Sequence, residues 1–194
     1  MTWSPMIVVW FVIQLVLLGL ELFMKYDTFG RQNALALTNV AVMVAVVLLP
    51  WRLGGNKMRI SGLTLAMVTV ALWLDAFGNF QHLYGTVVWW DRFTHFVGGM
   101  AISSFLIDLC LGVNAAKLKI GTGLVIIFAF LLGQFIGGLY EISEYLGDMW
   151  FQTGRVGERF DSARDLLFNL LGGLAVLALA QIRIQSWHRE RKVV

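Results

Sequence analysis

The chain has 194 residues, 58% of them apolar and only 14% charged, with a mean hydropathy of +0.74 and a net charge of +3. Soluble domains average nearer half apolar and about a quarter charged, so the surplus excludes an ordinary aqueous fold and points to lipid as the solvent. The charge balance is small and nothing in it suggests a nucleic-acid surface, and a single cysteine, Cys110, excludes a disulfide framework.

A bilayer core of roughly 30 Å takes about 20 helical residues. Six stretches qualify, at roughly 5–24, 33–50, 60–80, 93–113, 122–145 and 166–184. Backbone groups in hydrocarbon must be satisfied within their own segment, which requires helices. The expected fold is an all-α, polytopic integral membrane protein of about six transmembrane helices. It forms a single transmembrane domain over 1–194, with 185–194 as a basic cytoplasmic tail.

The first stretch has no basic n-region and no small-residue cleavage site, so it reads as a retained helix. It carries Glu21 near its end. The second stretch is generic, and the third carries Asp75 and Asn79, four apart on one face. His82, in the following loop, reads as interfacial, and Trp89 and Trp90 as part of an outer aromatic belt with Trp150.

The fourth stretch opens with Asp91 and His95, four residues apart and so on one helical face, followed by Gly98 and Gly99. The fifth has Gly133 and Gly137 as a small-xxx-small face and closes with Glu141 and Glu144. Two acids that close on an apolar helix repel unless a cation or a proton lies between them. Arg155 and Arg159 follow in the loop. The sixth opens with Asp161, Arg164, Asp165 and Asn169, above Gly172 and Gly173.

Lys and Arg counts set the orientation. Nine fall on the side of the second and fourth loops and the tail, from Arg52 to Lys192, against six on the other side, from Lys25 to Arg164. Both termini are thus expected to be cytoplasmic, with Trp51 and Trp187 at the inner interface. Among the acids of the helices and tail, only Asp108 and Glu190 then fall toward the cytoplasm; the rest gather at the outer ends.

Ionisable groups in or near hydrocarbon are costly and need a reason. Carboxylates with an imidazole are hard ligands that suit Mg, Mn, Ca, Fe or, with fewer acids, Zn. One reading makes Asp91, His95, Glu141 and Glu144 the ligands of a divalent metal. Asp165 or Asp161 would then be the general base, and Arg155, Arg159, Arg164 and Asn169 would bind the headgroup of a lipid-linked or envelope substrate. In another, the acids form a cation or proton route with Asp75 and Asp108 as deeper stations. In a third they are structural: interfacial pairs of Asp91 with Arg92, Glu158 with Arg159 and Asp161 with Arg164, and Asp165 with Asn169 as a helix cap.

The run from Trp90 to Gly99 (Trp-Asp-Arg-Phe-Thr-His-Phe-Val-Gly-Gly) resembles the signature of the YjdF-type (DUF2238) bacterial inner-membrane proteins. Glu141-Ile142-Ser143-Glu144-Tyr145 and the segment from Asp161 to Gly173 fit its later part. The order Asp-x-x-x-His, Glu, Asp-x-x-x-Asn-x-x-Gly is also similar to VanZ-like proteins. The resemblance covers roughly the C-terminal half and implies a multi-pass inner-membrane protein, with Asp91, His95, Glu141, Glu144, Asp165 and Asn169 at the matching positions. It implies no reaction.

Overall fold

A computed structural model describes residues 5–24, 29–54, 60–114, 117, 120–157 and 159–191; the side chains of 29, 54 and 180–191 are not described. Lys25, Lys57, Arg59, Lys119, Glu158 and the side chains of the basic tail, including Trp187, His188 and Glu190, therefore lie outside the described residues.

The described residues form helices and no strand. In chain order they are α1 (Pro5–Phe23), α2 (Phe29–Gly54), α3 (Gly62–Phe80), the short α4 (Leu83–Thr86), α5 (Trp90–Val113), α6 (Thr122–Phe151) and α7 (Asp161–Arg191). All but α4 are long and apolar enough to cross a membrane. Several run beyond the apolar stretches: α5 begins at Trp90, α6 continues to Phe151 and α7 starts at Asp161. The added turns carry Asp91, Asp148, Asp161 and Asp165. A polar side chain at a helix end does not stop a helix that buries it against neighbours.

The reason for burial is plain on α6. Leu124, Ile127, Phe128, Leu131, Phe135, Leu139 and Ile142 are exposed at intervals of three and four, which makes a lipid-facing stripe. Ile126, Ala129, Gly133, Gly137, Glu141 and Glu144 form the buried stripe opposite. The two acids thus continue the inward face of the helix.

Helix α5 is the hub. It packs most extensively on α7, then on α3 and α6, while α1 lies against α2 and α3. Small residues permit the α5–α7 crossing. A Cβ on Gly99 would overlap the Asn169 backbone, and one on Gly172 would overlap the Phe96 carbonyl. On α5, Gly99 and not Gly98 makes this approach; nothing lies within 4 Å of a Cβ at Gly98. The apolar core, with Val46, Leu65, Val68, Phe105, Leu106, Ile126 and Ala129, fills the middle of the bundle.

Helix ends are secured by side chains. Gln32 Nε2 donates to the Glu21 and Leu22 carbonyls at 2.9 Å each, satisfying the end of α1. At the opposite face of the bundle, Asp108 Oδ2 accepts from Ser61 N at 2.8 Å and from Thr64 Oγ1 at 2.7 Å. Asp108 therefore braces the start of α3, where a carboxylate meets the positive end of the helix dipole.

Candidate functional site

The ends of α3, α5, α6 and α7 bring their polar groups together at one face. His95, at the start of α5, is central. Its Nε2 lies 3.5 Å from Asp91 Oδ1 and 3.8 Å from Asp165 Oδ1, and its Nδ1 lies 3.5 Å from Glu141 Oε1. Asn169 Nδ2 is 3.4 Å from the same Nδ1. These separations are too long for strong hydrogen bonds. Glu141 Oε1 and Asp165 Oδ1 are buried and have no hydrogen-bond partner.

Two overlapping sets of side chains, Asp91/His95/Asp165 and His95/Glu141/Glu144, each offer ligand atoms within 4.8 Å of one another. At that separation two like charges repel by about 3.5 kcal/mol, even at an effective dielectric of about 20. A cation at either set would offset that cost and give the oxygen of that set that lacks a hydrogen bond, Asp165 Oδ1 or Glu141 Oε1, a ligand bond.

A second group adjoins the first. Arg155 enters from the loop between α6 and α7. Its Nη2 lies 2.8 Å from Glu144 Oε1, 2.5 Å from Tyr140 Oη and 3.6 Å from Asp75 Oδ2. Asp75 Oδ1 accepts from Tyr84 Oη at 2.7 Å and from Asn79 Nδ2 at 2.8 Å. Burial alone would lower the pKa of Arg155, but Tyr140, Glu144 and Asp75 outweigh it and hold the guanidinium well above its ordinary value. Burial, followed by the charge of Asp75, pushes the Tyr84 phenol well above its ordinary value. Arg155 stays cationic and Tyr84 stays neutral.

The local chain explains how Arg155 gets there. Asp148, near the end of α6, accepts from the backbone N–H groups of Arg155 and Val156, both at 2.8 Å, and from the Thr153 hydroxyl. Gln152 (φ 52°) and Gly154 (φ 65°) take left-handed conformations that turn the loop inward.

The other residues singled out in the sequence fall elsewhere. Asp161 Oδ2 accepts from Gly157 N at 2.8 Å at the rim. Arg159 is exposed, its guanidinium 5.4 Å over the Phe160 ring. Arg164 is half-buried on the first turns of α7. His82 is exposed and left-handed (φ 55°) before α4. Glu21 is buried between α1 and α2, where Asn39 Nδ2 donates to it at 3.2 Å, so it belongs to that seam and not to the His95 cluster. Trp90 is not an interfacial belt residue. It is 8% exposed and lies against Gly78, where a Cβ would overlap its indole. Tyr84, Tyr140, Asp148 and Arg31 add to the site or its support without a motif to mark them; the four-residue spacing of Tyr140 and Glu144 was the available signal.

The family match fits this picture of a membrane bundle. The family model described as "Predicted membrane protein (DUF2238)" matches residues 6–186. The chain belongs to the DUF2238 family. The match takes in the first two helices as well as the C-terminal half that carries the motifs. An uncharacterized protein of Thermotoga maritima is 29% identical over 111 residues, which cover 56% of this DUF2238 chain and 57% of that relative. The matched stretch thus spans little more than half the relative's length. No solved structure matches the chain. The VanZ-like order remains a likeness of pattern.

Proposed function

We propose that this multi-pass protein holds a divalent metal ion at the His95 cluster and uses it to act on a lipid-linked or cell-envelope substrate at the outer face of a bacterial inner membrane. One observation carries the proposal: the buried Asp165 oxygen, without a hydrogen bond, stands with Asp91 and His95 in a set whose ligand atoms lie within 4.8 Å of one another. Asp91, His95 through Nε2, and Asp165 are the ligands, with Glu141 on the opposite ring nitrogen, Nδ1, where it orients the imidazole; two carboxylates and one imidazole suit Mg, Mn, Fe, Ca or Zn better than a thiolate-seeking ion. Glu144 is held by Arg155 and lies within reach of His95 as an alternate ligand. Asp161 has an oxygen beyond its bond to Gly157 and serves as general base at the rim. When bound, the metal supplies Lewis acidity, lowering the pKa of a bound water or polarising a phosphoryl or acyl oxygen. Membrane lipid surrounds the lipid-facing stripes.

The test is elemental analysis of detergent-purified protein beside the His95→Ala, Glu141→Gln and Asp165→Asn variants. The expected result is one ion per chain in the wild type, lost in the folded variants. A wild type that retains no metal after incubation with Mn, Zn, Mg, Ca and Fe in turn sinks the proposal. Proton or cation transport through the same acids would then be measured in liposomes.

A further inference from the structure

A cavity of about 500 Å3 runs from the polar cluster into the bundle, within the range of about 300–1,000 Å3 typical of ligand pockets. Its polar end carries Arg31, Asp75, Tyr84, His95, Glu144 and Arg155. Its other end is apolar, lined by Val46 and Leu49 of α2, Val68 and Ala71 of α3, and Ile102 and Phe105 of α5. Phe105 lies ten residues beyond His95, or about 15 Å along the helix. That is about half the hydrocarbon thickness of roughly 30 Å, the depth of one leaflet. Helix α2 packs mainly on α1 and touches α5 and α6 lightly, so the wall it forms is a loosely packed side of the cavity.

The head chemistry follows from the ligand geometry. Asp91 and His95 line the cavity, whereas Glu141 and Asp165 stand behind them. A hard divalent cation takes six or more oxygen or nitrogen ligands, and the three protein groups Asp91, His95 and Asp165 leave positions open toward the cavity. The acids lining the polar end, Asp75, Asp91 and Glu144, outnumber the arginines Arg31 and Arg155. A free anion is therefore repelled there, and an anionic head binds by ligating the cation.

We infer that the cavity binds one membrane amphiphile with a phosphate head, its chain lying between α2 and α3 down to Phe105 and its head completing the coordination of the ion at His95. This rests on the divalent-metal reading. It makes the substrate a phosphate-bearing lipid and places the reacting head beside Arg155.

The experiment uses the full chain in dodecyl maltoside, whose neutral alkyl chain sets the baseline. Thermal unfolding is followed with dodecyl phosphate or inorganic phosphate added, with and without EDTA, and metal content is measured on the same samples. Dodecyl phosphate at about a hundredfold over its Kd is expected to raise Tm by about 5–10 °C. Inorganic phosphate is expected to do little, and EDTA to abolish the rise. Ala45→Trp and Ala71→Trp, from opposite walls of the apolar limb, are expected to lose the rise while keeping their metal; two variants guard against misfolding of either. Metal present without a dodecyl phosphate effect overturns the amphiphile and leaves the metal site standing. A rise that survives EDTA overturns the metal-bound head, and a rise that survives both tryptophan variants overturns the apolar limb as the seat of the chain. A protein with neither metal nor a rise overturns both proposals.

Discussion

At the scale of single residues, Arg155 is the most consequential side chain in the cluster. It is the cation bonded directly to Glu144 and it faces Asp75 as well. Removing one partner of a buried pair leaves the other charge uncompensated, at a cost of about 3–5 kcal/mol. Arg155→Ala should therefore lower the thermal midpoint by about 10 °C. Arg155→Lys should recover only part of the loss, because a single ammonium cannot reproduce the fork toward Glu144 and Tyr140. Tyr84→Phe removes one bond to Asp75 and should cost about 1–3 kcal/mol. Because the Tyr84 phenol is held well above its ordinary pKa, that variant should remove no inflection from a pH profile between 6 and 9 (roughly the accessible range); loss of an inflection there would show that Tyr84 titrates in that range. The sequence alone exposed the acids and His95, since intramembrane charges stand out against apolar neighbours. It did not expose the role of Arg155. That role depends on a loop turned by Gln152 and Gly154 and gathered by Asp148, and no periodicity encodes such a loop.

At the scale of helices, the six long segments were legible because hydrocarbon allows so few alternatives. Their true lengths were less so, because hydropathy falls where the acids begin while the helices continue. The small-residue faces were visible as spacings, but which member of each pair is used depends on how neighbouring helices cross. Gly99 and Gly172 meet backbone across the α5–α7 contact, whereas Gly138 has nothing within 4 Å of an added Cβ. Gly99→Ala and Gly172→Ala should each force the helices apart, costing about 1–3 kcal/mol and lowering Tm by about 3–10 °C. Gly138→Ala should be neutral or slightly stabilising, given the helix propensity of alanine. Equal melting of all three variants in detergent would show that the crossing is looser than described. The crossing also sets the site, since Asn169, which approaches His95, lies on the stretch of α7 that Gly99 accommodates.

For the whole molecule, orientation is the property that most constrains function, because it decides which compartment meets the His95 cluster. The positive-inside count of nine against six is modest when every Lys and Arg is weighed equally. Arg155 does not deserve equal weight. Its side chain is mostly buried and paired with acids, so it does not act as a free juxtamembrane charge. Discounting it widens the bias toward cytoplasmic termini, the orientation in which the cluster would lie outside. Val88, 82% exposed in the connection between α4 and α5, gives a direct probe on the same face as His95. In a Cys110→Ser background, Val88→Cys should react with a membrane-impermeant maleimide in intact cells, to about the extent seen after lysis. Labelling only after lysis would invert the bundle, put the cluster in the cytoplasm and exclude envelope substrates facing outward.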